Sequence, residues 1–376
     1  MVFNMRRTGV ADLPLHGGKA PRWLFQRMVS LSESIIDVMV HEYSSDEVLI
    51  RLSDPFWFQS LACILGYDWH SSGTTTVTCA ALKQAVNLKR HGFVFTGGKG
   101  KTSRKTPSEI NEIAVEYSIS DSILNTLLYA SRMTAKIDSI AIQDYHSLYH
   151  HSYIFTEKGT WAVIQQGLND ENGYARRYHW CSEHDKEFLN TPHTSIIGER
   201  IKKPVLDMTS EHSVSTQQIS VDLVNDHPRH LQRDWKLVCK PRNQRTLDDW
   251  DEKQRIAKTP RLVMPRCLNW KKIHEIYEWQ PKDYEALIFM EGVGSSTIRA
   301  LALISEVIYG ESPSWTDPVK YSYAHGGKDG VPFPVDTKRM DKSVQVLKQG
   351  IVEANMDRKE KLHALNRLRR LIPVDT

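Results

Sequence analysis

"SYIFTEKGTWAVIQQG", Ser152 to Gly167, decides the architecture. Two runs rich in β-branched and aromatic residues flank Glu157-Lys158-Gly159, a turn composition, so the stretch reads as a β-hairpin. Just upstream, "KIDSIAIQD" (Lys136 to Asp144) reads as a further strand. Almost every other long pattern is helical, so the predicted class is α+β, mostly α-helical with a small antiparallel sheet.

Outward from the hairpin, Pro21 to about Lys89 is helical in pattern. Ser45 is placed to cap "DEVLIRL", and Asp54-Pro55 open "FWFQSLACIL" as cap and first-turn proline, with Gly66 as the expected stop. "YDWHSSG" (Tyr67 to Gly73) forms a polar turn before a helix from about Thr74. "RHGFVFTGGKGKTSRKTPSE" (Arg90 to Glu109) starts strand-like and breaks into a glycine-rich basic loop, expected to be exposed, whose Lys99 and Lys101 are candidate nucleic-acid contacts. Helices are predicted over about Pro107 to Tyr117 and Ser120 to Met133. A polar connection runs from Glu183 to about Pro260, and helices resume near Trp270. The expected organisation is a helical region at 1–106, helices plus hairpin at 107–182, a connecting region at 183–260 and a C-terminal helical region at 261–376. "HGGK" occurs twice, at His16 to Lys19 and His325 to Lys328, without a repeated structural unit.

Composition excludes more than it assigns. A chain of 376 residues, 40% of them hydrophobic, can bury more than one core. It has no apolar run of about 18 residues and no secretory leader pattern near its start, so a cytoplasmic protein with no membrane partner is expected. Five cysteines, widely spaced and never in a C-x-x-C pair, suggest neither a disulfide framework nor a zinc ribbon. A net charge of +4 is too small to argue for nucleic acid unaided.

Local motifs carry that case. In "FMEGVGSSTIRALALISEVIYGE" (Phe289 to Glu311), two glycines lie one residue apart between a helix candidate and a long apolar helix. Glycines free the backbone to approach a ligand, and the start of the second helix presents N–H groups and a positive dipole end. Gly292, Val293, Gly294, Ser295, Ser296, Thr297 and Arg299 thus read as a helix-hairpin-helix corner gripping one DNA strand by its phosphates. A tight turn capping a core helix is the plainer alternative.

The polar motifs are candidate chemistry. Asp68 with His70, then Asp144, His146 and His150, offer the oxygen and nitrogen ligands a divalent metal accepts, Mg²⁺ or Mn²⁺ beside a phosphate. The expected metal set is Asp144, His146 and His150. Gln166, His179, His325 and Lys328 join the catalytic candidates, and Arg176 and Arg177 can clamp phosphate with their guanidinium forks. Each residue alone can equally be a hydrogen-bonded structural one. No G-x-x-x-x-G-K-[ST], G-x-S-x-G or H-E-x-x-H is present.

Base-excision glycosylases of the helix-hairpin-helix superfamily carry an essential aspartate after the second helix. Asp317 stands at a broadly similar distance, and Ser296 stands where bifunctional members have lysine. By that resemblance Asp317 would stabilise charge growing on the sugar, with no metal. "LPLHGGKAPRWLF", "LSDPFWFQSLACILGYDWHSSGTTT", "LYHHSYIF", "WAVIQQG", "ARRYHW", "GVGSSTIRALALISEVIYG" and "AHGGKDGVPFPVD" together resemble domain-of-unknown-function family 763 of archaea and bacteria. The resemblance covers nearly the whole chain and brings no activity with it. The leading expectation is therefore a DNA-processing protein, a metal-assisted nuclease. A glycosylase using Asp317 and a non-catalytic DNA-binding scaffold are the alternatives.

Overall fold

The computed structural model describes residues 20–66, 72–183, 187–198, 201, 203–239, 264–319, 337–355 and 357–371. It begins with helices α1 (Arg22–Glu42), α2 (Ser45–Ser53) and α3 (Pro55–Leu65). Asp54 Oδ1 accepts from the amides of Phe56 and Trp57 at 3.0 and 2.9 Å, and Gly66 ends α3 in the left-handed conformation. This is the start and stop that Asp-Pro and Gly predict. The cap of α2 is Ser44, one residue before the expected Ser45. Ser44 Oγ accepts from Glu47 N, while Ser45 Oγ donates to the His91 carbonyl at 2.8 Å.

After α4 (Ser72–Ala85) and α5 (Leu88–His91), strand β1 (Phe93–Lys99) runs through Gly97 and Gly98, two of the glycines assigned above to a loop. A 3₁₀ turn at Gly100–Lys105 leads into α6 (Thr106–Glu116) and α7 (Asp121–Lys136). The expected strand over Lys136 to Asp144 is mostly something else: Ile137–Ala141 is a π-helical turn extending α7, and β2 is only Ile142–Gln143. Ile137, Ile140 and Ala141 of "IDSIAI" recur at i, i+3 and i+4, a helical spacing, and Asp138 between them is fully buried among polar partners.

The hairpin supplies β3 (Ser147–Thr156) and β4 (Trp161–Leu168), turning at Gly159 with φ +91°. With β5 (Ala175–Cys181) and β6 (Ser195–Ile197) they complete a five-stranded antiparallel sheet in the order β1-β3-β4-β5-β6. A two-stranded pair joins β2 to β7 (Leu206–Asp207). The stretch read as a polar connection also holds two twelve-residue helices, α8 (Val214–Asn225) and α9 (Pro228–Cys239). Helices α10 (Trp270–Trp279), α11 (Tyr284–Phe289) and α12 (Ser295–Ile304) follow, then α13 (Thr337–Glu353) and α14 (Arg358–Leu371).

Strand periodicity sorts the two larger core clusters, one to each face of the sheet. Tyr153, Phe155, Trp161, Val163 and Trp180 face one helical layer built from α6 to α12. Phe93, Phe95, Ile154, Ala162 and Ile164 face the other, built from α1 to α4 with α13 and α14. The sheet is thus a buried partition, with apolar packing on both sides. Among the described residues no single helix is long and apolar enough to cross a membrane.

Candidate functional site

The glycine corner forms as a tight connection between α11 and α12. Asp283 caps α11 by accepting from Ala286 N at 2.7 Å. Gly292 takes φ +82°, where an L side chain is strained, and a Cβ there would fall on the Lys272 side chain. Val293 and Thr297 are buried and hold the corner to the core, while Ser295 and Ser296 stay exposed at the first turn of α12. Nothing lies within 4 Å of a Cβ built on Gly294, so the approach to this helix start is open. Lys136 donates to the carbonyls of Ile288 and Met290 and so closes the end of α11. Burial pushes its ammonium down to about 8.

This corner forms one wall of a cleft of roughly 440 Å³. Ser295, Ser296 and Arg299 line it from α12, Asp144, Tyr145 and His146 from the loop between β2 and β3, and Arg266 lines it as well. Gln143 ties the two walls together: its Nε2 donates to the Ser295 carbonyl at 2.9 Å, and its Oε1 accepts from Arg299 Nε at 2.7 Å. Tyr145 holds φ +66°, an unusual conformation for a residue with a side chain, and is about one-third exposed.

Beneath the Asp144 wall lies a buried ion cluster. Asp144 Oδ2 accepts from Arg176 Nη1 at 2.9 Å and from the Tyr178 hydroxyl at 2.6 Å. Burial opposes ionisation of Asp144, but the Arg176 guanidinium, His146 and Tyr178 outweigh it and hold the carboxyl well below the usual range. His146 Nδ1 sits 2.8 Å from the Asp144 carbonyl oxygen. Gly167 makes room for this loop, because a Cβ on it would lie 2.8 Å from His146 Cβ. Arg176 forks onto Asp317 through two bonds of 2.8 Å, and Asp317 also accepts from Ile201 N at 2.6 Å and Val319 N at 3.2 Å. Both Asp317 oxygens are therefore engaged, and the side chain is 1% exposed. A carboxylate held this way anchors the chain.

On the opposite face of the sheet a second group assembles. Lys99, His150, Gln166 and Arg177 stand in register on four adjacent strands, β1, β3, β4 and β5. Gln166 Nε2 donates to Thr75 Oγ1 at 3.2 Å, and Gln166 Oε1 accepts from the Tyr149 hydroxyl at 2.7 Å. Arg177 reaches Thr75 Oγ1 at 3.4 Å and Gln59 Oε1 at 3.1 Å. Burial, with Lys99 and His151 nearby, pushes His150 down to about 3, so its ring is neutral. Burial and Arg177 likewise hold His179 well below its ordinary value, against the ring of Phe58. Lys101 is exposed on the 3₁₀ turn.

The expected metal set is not brought together. Asp144 and His146 adjoin, but Asp144 packs with Tyr178 while His150 shares the other face with Gln166, since neighbouring strand residues alternate sides. Among the described residues no group of three or more His, Cys, Asp or Glu side chains could hold a metal ion. Asp68, His70, His325 and Lys328 lie outside the described residues. Sequence reasoning missed Asp138, which accepts from Gln165 at 2.6 Å and Trp180 at 3.0 Å and pairs with His193. Its only signal was a lone aspartate inside an apolar run.

No curated protein and no solved structure matches the sequence. A family model does, across residues 9–335, and the chain therefore belongs to the family described as Protein of unknown function (DUF763).

Proposed function

We propose that this protein binds DNA by its phosphate backbone at the start of α12 and hydrolyses phosphodiester bonds in the adjoining cleft. The observation that carries the reading is the pairing across that cleft. One wall offers exposed helix-start amides, two serine hydroxyls and the Arg299 guanidinium; the other offers a histidine oriented by a buried aspartate. Amides and guanidinium favour a phosphodiester anion over a neutral ligand. With Nδ1 directed at Asp144, Nε2 of His146 is the nitrogen left to take a proton from water or return one to the leaving oxygen. Such a grip reads the backbone and not the bases, so binding should be largely independent of sequence. A divalent cation, Mg²⁺ or Mn²⁺, would arrive with the substrate phosphates and stabilise charge on them.

The test is an end-labelled assay on single-stranded, duplex, flap and damaged-base DNA, with Mg²⁺, Mn²⁺ or EDTA and alkali treatment of half of each sample. Direct breaks are expected, lost in His146→Gln with binding retained. Arg299→Ala should weaken binding and flatten its salt dependence by about one counterion. Breaks that appear only after alkali and ignore EDTA would replace this reading with base removal. Binding insensitive to both Ser296→Ala and Arg299→Ala would remove the corner from it.

A further inference from the structure

The polar group on the other face of the sheet is not used by that cleft. Its centre is the start of α4, a helix of fourteen residues whose first turn is made of small hydroxyl residues: Ser72, Thr74, Thr75 and Thr76 are all buried. Strand residues meet this turn directly. Gln166 and Arg177 both reach Thr75, and Tyr149, bonded to Gln166, also lies in hydrogen-bond reach of Ser72.

His150 is the independent observation. It is 1% exposed, and neither ring nitrogen has a hydrogen-bond partner. It pairs across the sheet with Gln166 on one side and Lys99 on the other, and cross-strand partners point to the same face. Its ring is therefore on the face that the first turn of α4 closes. A buried imidazole with two idle nitrogens costs free energy unless a ligand or water completes it. Lys99 is exposed at the strand end, 5.7 Å from the Tyr149 ring, so the group has a cationic rim.

We infer that the start of α4, with Thr75, His150, Gln166, Arg177 and Lys99, is a second binding site, and that it takes a phosphate group. The chemistry is donor-rich: hydroxyls, an amide side chain, a guanidinium and an ammonium suit tetrahedral oxyanion recognition. The phosphate can be a free one or the terminal phosphate of a nucleic acid chain. The inference does not depend on the cleft at α12, because inorganic phosphate binding can be read whether or not DNA binds there.

Titration calorimetry on the full chain tests it, first with inorganic phosphate, then with an oligonucleotide carrying or lacking a 5′-phosphate. Saturable phosphate binding is expected with Kd on the order of 1 mM or tighter. Thr75→Val keeps side-chain volume and His150→Phe keeps a planar ring, and each should weaken it about tenfold, the value of one hydrogen bond to a charged group. Lys99→Ala, at an exposed position that leaves folding intact, should weaken it about threefold. A preference for the 5′-phosphorylated oligonucleotide, lost in Thr75→Val, assigns the terminal phosphate; equal binding of both oligonucleotides assigns the free ion. Heats of dilution alone at about ten times that concentration would overturn the inference. So would phosphate binding that Thr75→Val and Lys99→Ala leave unchanged.

Discussion

Replacing Asp317 with alanine should destabilise the fold by about 3 to 5 kcal/mol, the range for leaving one partner of a buried ion pair uncompensated. Arg176 is fully buried, and its guanidinium makes three ionic contacts of 2.8 to 2.9 Å, two of them to Asp317. Asp144 remains after the substitution, which keeps the loss from exceeding that range. The Ile201 amide, now bonded at 2.6 Å, also loses its acceptor. Asp317→Asn retains one acceptor oxygen and should cost roughly half as much. Urea unfolding followed by fluorescence and circular dichroism gives the difference, provided both probes report one transition. A loss below about 1 kcal/mol for Asp317→Ala would refute the buried-anchor reasoning. The same cluster sets the acid limb of stability. Asp144 has its carboxyl depressed in the fold, so its contribution is complete above the unfolded value near 3.9 and is lost as pH falls further, through the folded value.

Gly292→Ala should cost about 1 to 2 kcal/mol, because φ +82° is strained for alanine and the new methyl must displace Lys272; DNA affinity should fall with it, as read by fluorescence anisotropy. Ser44→Ala should lower stability by about 1 kcal/mol through the lost cap of α2, and a chemical-denaturation midpoint unchanged from the parent would show that the cap contributes nothing. Ser45→Ala should act by another route, loosening the contact of α2 with α5 by removing the hydroxyl that holds the His91 carbonyl.

Local signals were the legible part of the fold. Asp54, Pro55 and Gly66 mark the ends of α3 because cap chemistry is written in adjacent residues, and the Glu157-Lys158-Gly159 turn betrays its hairpin for the same reason. Strand β5 was illegible: "ARRYHW" resembles a solvated turn, yet both arginines are wholly buried, each on its own face of the sheet. Their partners, Asp144 and Asp317 for one, Gln59 and Thr75 for the other, come from distant segments that no local pattern connects. The same limit explains the site. The motifs named useful residues, but His146 and His150, four positions apart, belong to opposite faces, and only strand pairing reveals it.

Helices α13 and α14 close the core beneath α1 and α3 with Val346, Leu347, Ile351, Ala364 and Leu368. Arg367 donates to the Ile64 carbonyl at the end of α3, across 303 positions of chain. During synthesis, Ile35, Met39 and Leu61 must therefore wait until α13 and α14, about 300 positions later, have been made before their cover exists. Contacts of such long range are slow to form, and apolar helices left uncovered meanwhile are open to aggregation. Helices α1 to α3 should thus need chaperone protection on the ribosome, and α13 and α14 act as the latch that ends it.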